Sequence, residues 1–405
     1  MRILIVSQYF APEMTAASAR LAPLATGLAA RGHDVEVIAG LPNHPQGVVY
    51  EGFVGSPLVR RRGSGIRVKH VWVRASPKKG MKPRLLSYAS YAASTLIAGS
   101  LTERPDVVLA SSPPLSVGVV GLLLARRHRV PFVLDVRDLW PDIAVSLGEL
   151  RDPGVIRRVE ELEALLYRQA EQVTTPTEPF AAHVRRISGK QNATVLPNGT
   201  TSLWRESVSR DPSRDSRGLP HGFLWTYAGN VGLSQDLSVA VQAAEELGEE
   251  FTLLILGSGS TRAALDAQAA KLEQGNVIFR DPVPEVEAVD FVRASDALLV
   301  PLADDVGAAK SIPIKLYDFC AAGRPVIVAA PGEPARLARE RGIALPVQPG
   351  DSSALAQAVR TLRDDPILAH ELAERGRSWA QENDRLAQVP VLEEILSKTV
   401  GQRRG

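Results

Sequence analysis

Cysteine is nearly missing: Cys320 is the only one in 405 residues. No disulfide framework is possible within the chain, and a reducing compartment fits. Cys320 lies in the apolar run Phe319-Cys320-Ala321-Ala322 with no charged neighbour, so it reads as a small buried hydrophobe and not a nucleophile. Aromatic residues are only 5% of the chain, which argues against stacking platforms for single-stranded nucleic acid, and no nucleic-acid motif is visible. Long apolar runs are missing too. The best candidates, Tyr88–Leu101 and Val117–Ala125, fall short of the ~20 residues that span a bilayer. The apolar start stops at Ser7-Gln8, too short for a signal-peptide core, and no small-residue cleavage site follows. The expectation is a cytoplasmic protein that meets a membrane, if at all, on its inner face as a peripheral protein.

Acidic residues are absent between Glu51 and Glu103, where ten basic ones occur: Arg60, Arg61, Arg62, Arg67, Lys69, Arg74, Lys78, Lys79, Lys82 and Arg84. The rest of the chain then carries 37 basic against 45 acidic residues. A basic segment on an acidic body predicts an anionic partner. Lys78, Lys79, Lys82 and Arg84 lead into the apolar helix Leu85–Leu101, a pattern suited to anionic lipid headgroups or a lipid diphosphate. The alternative is a core-facing helix with solvated lysines.

The length predicts two domains. Short apolar runs at Ile3–Ser7, Val35–Ala39, Ile66–Val73, Val107–Ala110, Phe132–Val136, Val173–Thr175 and Thr194–Leu196 are mostly separated by helical stretches such as Ala16–Ala30. Arg31-Gly32-His33 reads as the end of that helix, with His33 as a cap. The polar segment Asn198–His221 breaks the pattern, and alternation restarts at Phe223–Ala228, Phe251–Leu256, Val277–Phe279, Ala297–Pro301, Val326–Ala329 and Leu345–Val347. The βα order predicts α/β architecture with two Rossmann-like domains, their parallel sheets facing across a cleft. The expected boundaries are 1–200, a linker at 201–221 and a second domain at 222–377. A C-terminal helix at about 378–399 would return to the first domain.

Two glycine-bearing turns follow strands in the second half: Gly229-Asn230-Val231-Gly232 and Gly257-Ser258-Gly259. Each reads as a phosphate-binding loop or as an ordinary tight turn. In Ser311–Val328, a short helix carries Lys315 and Asp318 one turn apart, ending at Gly323 before Pro325. A cation and a carboxylate on one face can divide a nucleotide, lysine to phosphate and carboxylate to ribose; the alternative is a surface ion pair. In the first half, Phe132–Asp142 runs from a strand into a charged turn bearing Asp135, Arg137, Asp138 and Asp142. Asp138 there is a candidate for orienting or deprotonating an acceptor hydroxyl, and Arg137 for contacting a phosphate. A helix-capping Asp with Arg137 as its ion-pair partner is the alternative.

The Ser311–Val328 segment resembles the donor-binding signature of family 4 glycosyltransferases, which have the GT-B fold. Asp318 stands five residues before Gly323-Arg324-Pro325, where that family binds the donor ribose with an acid. Gln8–Glu13, Gly40–Pro45, Ser112–Leu115 and Asp138–Pro141 resemble motifs of the N-acetylfucosamine transferases of colanic-acid and O-antigen assembly. The resemblance implies a retaining, metal-independent hexosyl or N-acetylhexosaminyl transferase without cofactor, using a nucleotide sugar, with UDP as the base. Its acceptor would be a glycan or a polyprenyl-diphosphate-linked sugar. Implied donor-site residues are Gly229, Asn230, Gly232, Gly257, Ser258, Gly259, Lys310, Lys315, Leu316 and Asp318. Implied acceptor-site residues are Glu13, Thr15, His44 and Ser112. The chain departs from the broader family in carrying Asn230 and Gln235 where an Arg/Lys pair holds the diphosphate, and Lys310 where an acid is usual. The first N-terminal loop also has Thr15-Ala16-Ala17-Ser18 in place of the common glycine pair. Rival readings are a nucleotide-sugar 2-epimerase of the same fold and a non-catalytic nucleotide-sugar-binding partner.

Overall fold

Strands rich in Val, Ile and Leu have no polar face to turn to solvent, so they need helices on both sides. The computed structural model, which describes residues 1–403 except 14, 79, 147, 149, 207–212 and 306, meets that need twice. The first sheet holds β1 (Arg2–Val6), β2 (Asp34–Gly40), β3 (Leu58–Gly63), β4 (Ile66–Val71), β5 (Val107–Ser112), β6 (Phe132–Val136), β7 (Gln172–Thr175) and β8 (Ala193–Val195). Their order is β3-β4-β2-β1-β5-β6-β7-β8. The second holds β9 (Phe223–Ala228), β10 (Phe251–Leu256), β11 (Val277–Arg280), β12 (Ala297–Pro301), β13 (Val326–Ala329) and β14 (Leu345–Val347), in the order β11-β10-β9-β12-β13-β14. Every pairing is parallel except β3 with β4. The chain divides into one unit of Met1–Pro197 with Arg385–Gly405 and another of Asn198–Asp384.

Strand β3 has no counterpart among the expected strands. Its Leu58-Val59-Arg60-Arg61-Arg62 looks like a charged loop, but at a sheet edge charge is compatible with strand and discourages further pairing. Ser64 and Gly65, both at positive φ (50° and 78°), make the tight turn into β4. Much of the basic segment is thereby engaged within the fold. Arg61 stacks on Phe53 at 4.2 Å, Arg67 pairs with Asp34 at 2.5 Å, and Lys69 pairs with Glu36 at 2.6 Å.

His33 closes the end of α1 (Ala16–Ala30) as expected, its backbone N–H donating to Leu28 O at 3.2 Å, and its Nε2 also meets Glu393 at 2.7 Å, fixing the C-terminal helix Gln388–Gln402 to that end. Gly27 permits the close approach there, since a Cβ would meet the Val389 methyls. The stretch expected as a linker is folded, within its described residues, onto the second unit. Its Trp204 is buried, donates from Nε1 to Glu285 at 2.9 Å and packs against Phe319, and Leu219 is buried beside Leu224.

The charged turn after β6 also loses one member. Asp135 is fully buried inside β6 and accepts from Arg20 of α1 (3.1 Å), Ser111 Oγ (2.8 Å) and Thr174 Oγ1 (2.8 Å). Arg20 also donates to the carbonyls of Leu196 and Pro197. This one pair joins α1, β5, β6, β7 and the chain beyond β8. Burial would raise the Asp135 carboxyl, but the Arg20 charge and hydrogen bond hold it below the ordinary range. Asp135→Ala should lower the opening free energy of β5 and β6 amides in native-state hydrogen exchange by about 3–5 kcal/mol, because it leaves Arg20 buried and unpaired. Arg20→Met with Asp135→Leu should lose much less. Since the folded value is depressed, this contribution is fully present above the unfolded carboxyl value of about 3.9 and is lost as pH falls through the folded one.

Candidate functional site

In the second unit, β9 and β10 run side by side and end in the two glycine turns. These turns bond first to one another. Gly229 N donates to Leu256 O (2.8 Å), Val231 N to Ser258 O (2.9 Å) and Gly257 N to Arg280 O (2.9 Å). A Cβ at Gly257 would collide with the Gly229 carbonyl, and one at Gly259 with the Val231 carbonyl. The glycines thus serve loop-to-loop packing, and the amides of 229, 231 and 257 are not open to a phosphate. Gly232 N is engaged by Gln235 Oε1 (3.2 Å), which also accepts from Asn230 Nδ2 (3.2 Å). Asn230 and Gln235 therefore satisfy each other and bring no charge.

The positive charge comes from the helix Ile314–Ala321. Pro313 opens that helix, and its apolar residues Leu316, Tyr317, Phe319 and Cys320 pack inward. Leu316 is fully buried and donates its amide to Pro313 O (3.0 Å), so its side chain serves the core and not a ligand. Lys315 projects across Gly229, where any Cβ would occupy the place of its ammonium, and lies 5.1 Å from the Tyr227 ring centroid. Burial pushes Lys315 down to about 8, against the opposing pull of Asp318. Asp318, one turn on, accepts from Thr200 Oγ1 at 2.9 Å. Thr200 went unread in the sequence because it lies 118 residues away, in the polar segment Asn198–His221 that breaks the strand–helix alternation. Lys310 is half-buried in the turn Ala308–Lys310, and Ser258 is exposed. Cys320 is fully buried, which pushes its thiol up.

In the first unit, the loops after β1, β2, β5 and β6 gather at the carboxyl edge of the sheet. Glu13 is buried and its Oε1 accepts from Asn43 N (2.7 Å) and His44 N (2.9 Å), so it shapes the 43–44 loop directly. Burial raises its carboxyl against those hydrogen bonds. His44 stands edge-on to Tyr9 with centroids 5.9 Å apart, and burial lowers its imidazole. Thr15 caps α1, accepting from Ser18 N. Ser112 is buried, and its carbonyl accepts from Arg137 N at 2.9 Å. Arg137 donates from Nε to Ser111 Oγ (2.9 Å) and from Nη2 to Pro113 O (2.9 Å), so two of its donors are engaged by β5 and its following turn. Burial lifts the Asp138 carboxyl, opposed by Arg137. Arg84 belongs to this group as well: with Arg137 its charge opposes the burial, Tyr88 and Glu13 that raise the Tyr9 hydroxyl.

The model of the glycosyl transferase 4-like domain matches residues 15–199, and that of the glycosyl transferases group 1 matches residues 210–379. The chain is 27% identical over 398 residues to the putative colanic acid biosynthesis glycosyl transferase WcaI of Escherichia coli K12, across 93% of this chain and 96% of that one. It is 25% identical to the 2-deoxystreptamine glucosyltransferase of Streptomyces kanamyceticus, across 82% and 89%. Among solved structures, the sucrose-phosphate synthase of Thermosynechococcus elongatus superposes with a TM-score of 0.80 at 17% identity, over 99% of both chains. Anabaena HepE in complex with UDP gives 0.73 at 16% identity, over 98% and 100%. Sequence models that cover both halves and an architecture shared end to end agree, and the chain belongs to the family 4 glycosyltransferases of GT-B fold.

Proposed function

We propose that this protein is a retaining hexosyl or N-acetylhexosaminyl transferase that takes its sugar from a UDP-sugar. The observation that carries this reading is the placement of Lys315 across Gly229 with Asp318 one turn on. Lys315 would meet the diphosphate, taking the part of the missing Arg/Lys pair, with Lys310 nearby in sequence. Asp318, steadied by Thr200, would accept from the ribose hydroxyls. The exposed residues Asn230, Ser258 and Gly259 would border the donor, with buried Gly232 behind them. Anabaena HepE, of the same fold, is known in complex with UDP and with UDP-glucose, which supports the base.

In the reaction the bond from the anomeric carbon to the diphosphate oxygen breaks and a bond to the acceptor oxygen forms. The acceptor's proton passes to the departing diphosphate on the same face, which retains configuration. Asp138, with its raised carboxyl, would orient the acceptor hydroxyl, and Arg137 would hold the turn that presents it. His44, Thr15 and Ser112 would border the acceptor, with Glu13 positioning His44. The name of WcaI supports a role in bacterial surface polysaccharide assembly, with a glycan or polyprenyl-diphosphate-linked acceptor presented at the inner membrane face.

Asp318→Ala should weaken UDP-sugar binding by about 1.5–3 kcal/mol, tenfold or more, in calorimetry on folded protein. Unchanged affinity would remove Asp318 from the site. Lys315→Ala should reduce affinity for UDP far more than for uridine, and an equal loss for both would make Lys315 structural. In the wild type, UDP affinity should fall as pH rises through about 8, where free Lys315 loses its proton, while uridine affinity stays level.

A further inference from the structure

The surface of α2 (Met81–Ser100) presents an unusual combination. Its inner face buries Tyr91, Thr95 and Gly99; Tyr91 donates to Ile38 O, and Gly99 lies against Leu124 of α3 (Leu115–His128). Its outer face is apolar as well. Leu85 is 54% exposed, Leu86 47%, Ile97 67% and the following Leu101 81%, with Ala89 and Ala93 exposed between them. At 100° per residue these positions share one face, a stripe about 24 Å long. No charged residue occurs from Leu85 to Thr102. A helix that is apolar on both faces is ordinarily buried all round, and this one is not.

Charge surrounds only one end of the stripe. Lys82 lies on the same outward face one turn before Leu85 and Leu86, and Lys78 is exposed just ahead of the helix. Neither has an ion-pair partner among the described residues. Lys79 lies outside those residues. Arg74, exposed, is tied to α2 by its backbone N–H to Ser90 Oγ (2.8 Å), and Trp72, 47% exposed, stands two residues before it. The charge of Arg84 acts on the Tyr9 hydroxyl. Since Arg67 and Lys69 are neutralised by Asp34 and Glu36, the free positive charge of the segment is concentrated beside this stripe and along the β3 edge.

We infer that the outward face of α2 inserts into the surface of an anionic bilayer, with Leu85, Leu86, Ala89, Ala93 and Ile97 below the headgroups and Lys78, Lys82 and Arg74 paired with lipid phosphates. Charge complementarity selects this occupant: an apolar strip with a cationic border and no carboxylate fits an anionic interface. Trp72 takes the place of an interfacial aromatic. The inference deepens the membrane-borne acceptor of the proposed function, and does not depend on the donor assignment.

Flotation of the full chain with vesicles tests it, using phosphatidylglycerol mixed with phosphatidylcholine against phosphatidylcholine alone, at low salt. The wild type should float with the anionic vesicles and much less with the neutral ones. Leu85→Gln with Leu86→Gln and Ile97→Gln should abolish flotation, while Lys78→Gln with Lys82→Gln should lower the partition about 30-fold, from roughly fivefold per charge. Both variants should keep wild-type circular dichroism and UDP affinity. Failure of the wild type to float, or full flotation of the triple variant, overturns the inference. So does a concentration-dependent dimer that the triple variant breaks without any flotation, which would make the stripe an interface between copies. Loss of UDP binding in the wild type with flotation intact would instead count against the donor reading alone.

Discussion

Lys315 sits where burial works against its own charge, and a good part of the second unit is arranged to keep it there. The Tyr227 ring lies beside its ammonium, Gly229 leaves the space it crosses, and Asp318 favours its protonated form from the next turn of the same helix. Thr200 in turn holds Asp318. A lysine lowered to about 8 is only partly committed to its charge, and a diphosphate alongside would restore it. That property sets Lys315 apart from the ordinary surface ion pair that the same spacing also allows.

The first unit shows the complementary arrangement, a buried charge with all its needs met. Asp135 and Arg20 bind each other and engage neighbours on several strands, so they order the carboxyl edge of the sheet without being available to a ligand. Arg137 and Asp138, two and three residues further on, are only half-buried, and the loop that Glu13 holds brings in His44. The distinction between these neighbouring carboxylates lies in burial and partners. Nothing in Asp-Val-Arg-Asp itself separates them.

Legibility followed the same physics. Strands β9, β10, β12, β13 and β14 stand where their apolar runs end, because a strand buried on both faces has little freedom in composition. Strand β3 was hidden because an edge strand tolerates three consecutive arginines. The glycine turns were visible, but what approaches a glycine is not: here it is the carbonyl of the adjoining loop and the stem of Lys315. Thr200 with Asp318, and Arg20 with Asp135, were out of reach because partners more than a hundred residues apart leave no local trace. The exposure of α2 was likewise undetermined, since an apolar helix reads the same whether covered or bare.

The central claim is that Lys315 and Asp318 divide one nucleotide between them, and a crystal structure of the protein soaked with UDP tests it most directly. The account predicts a diphosphate oxygen within hydrogen-bond distance of Lys315 Nζ and the ribose hydroxyls on the Asp318 carboxylate. UDP bound with its ribose away from Asp318, or its diphosphate out of reach of Lys315, would contradict it.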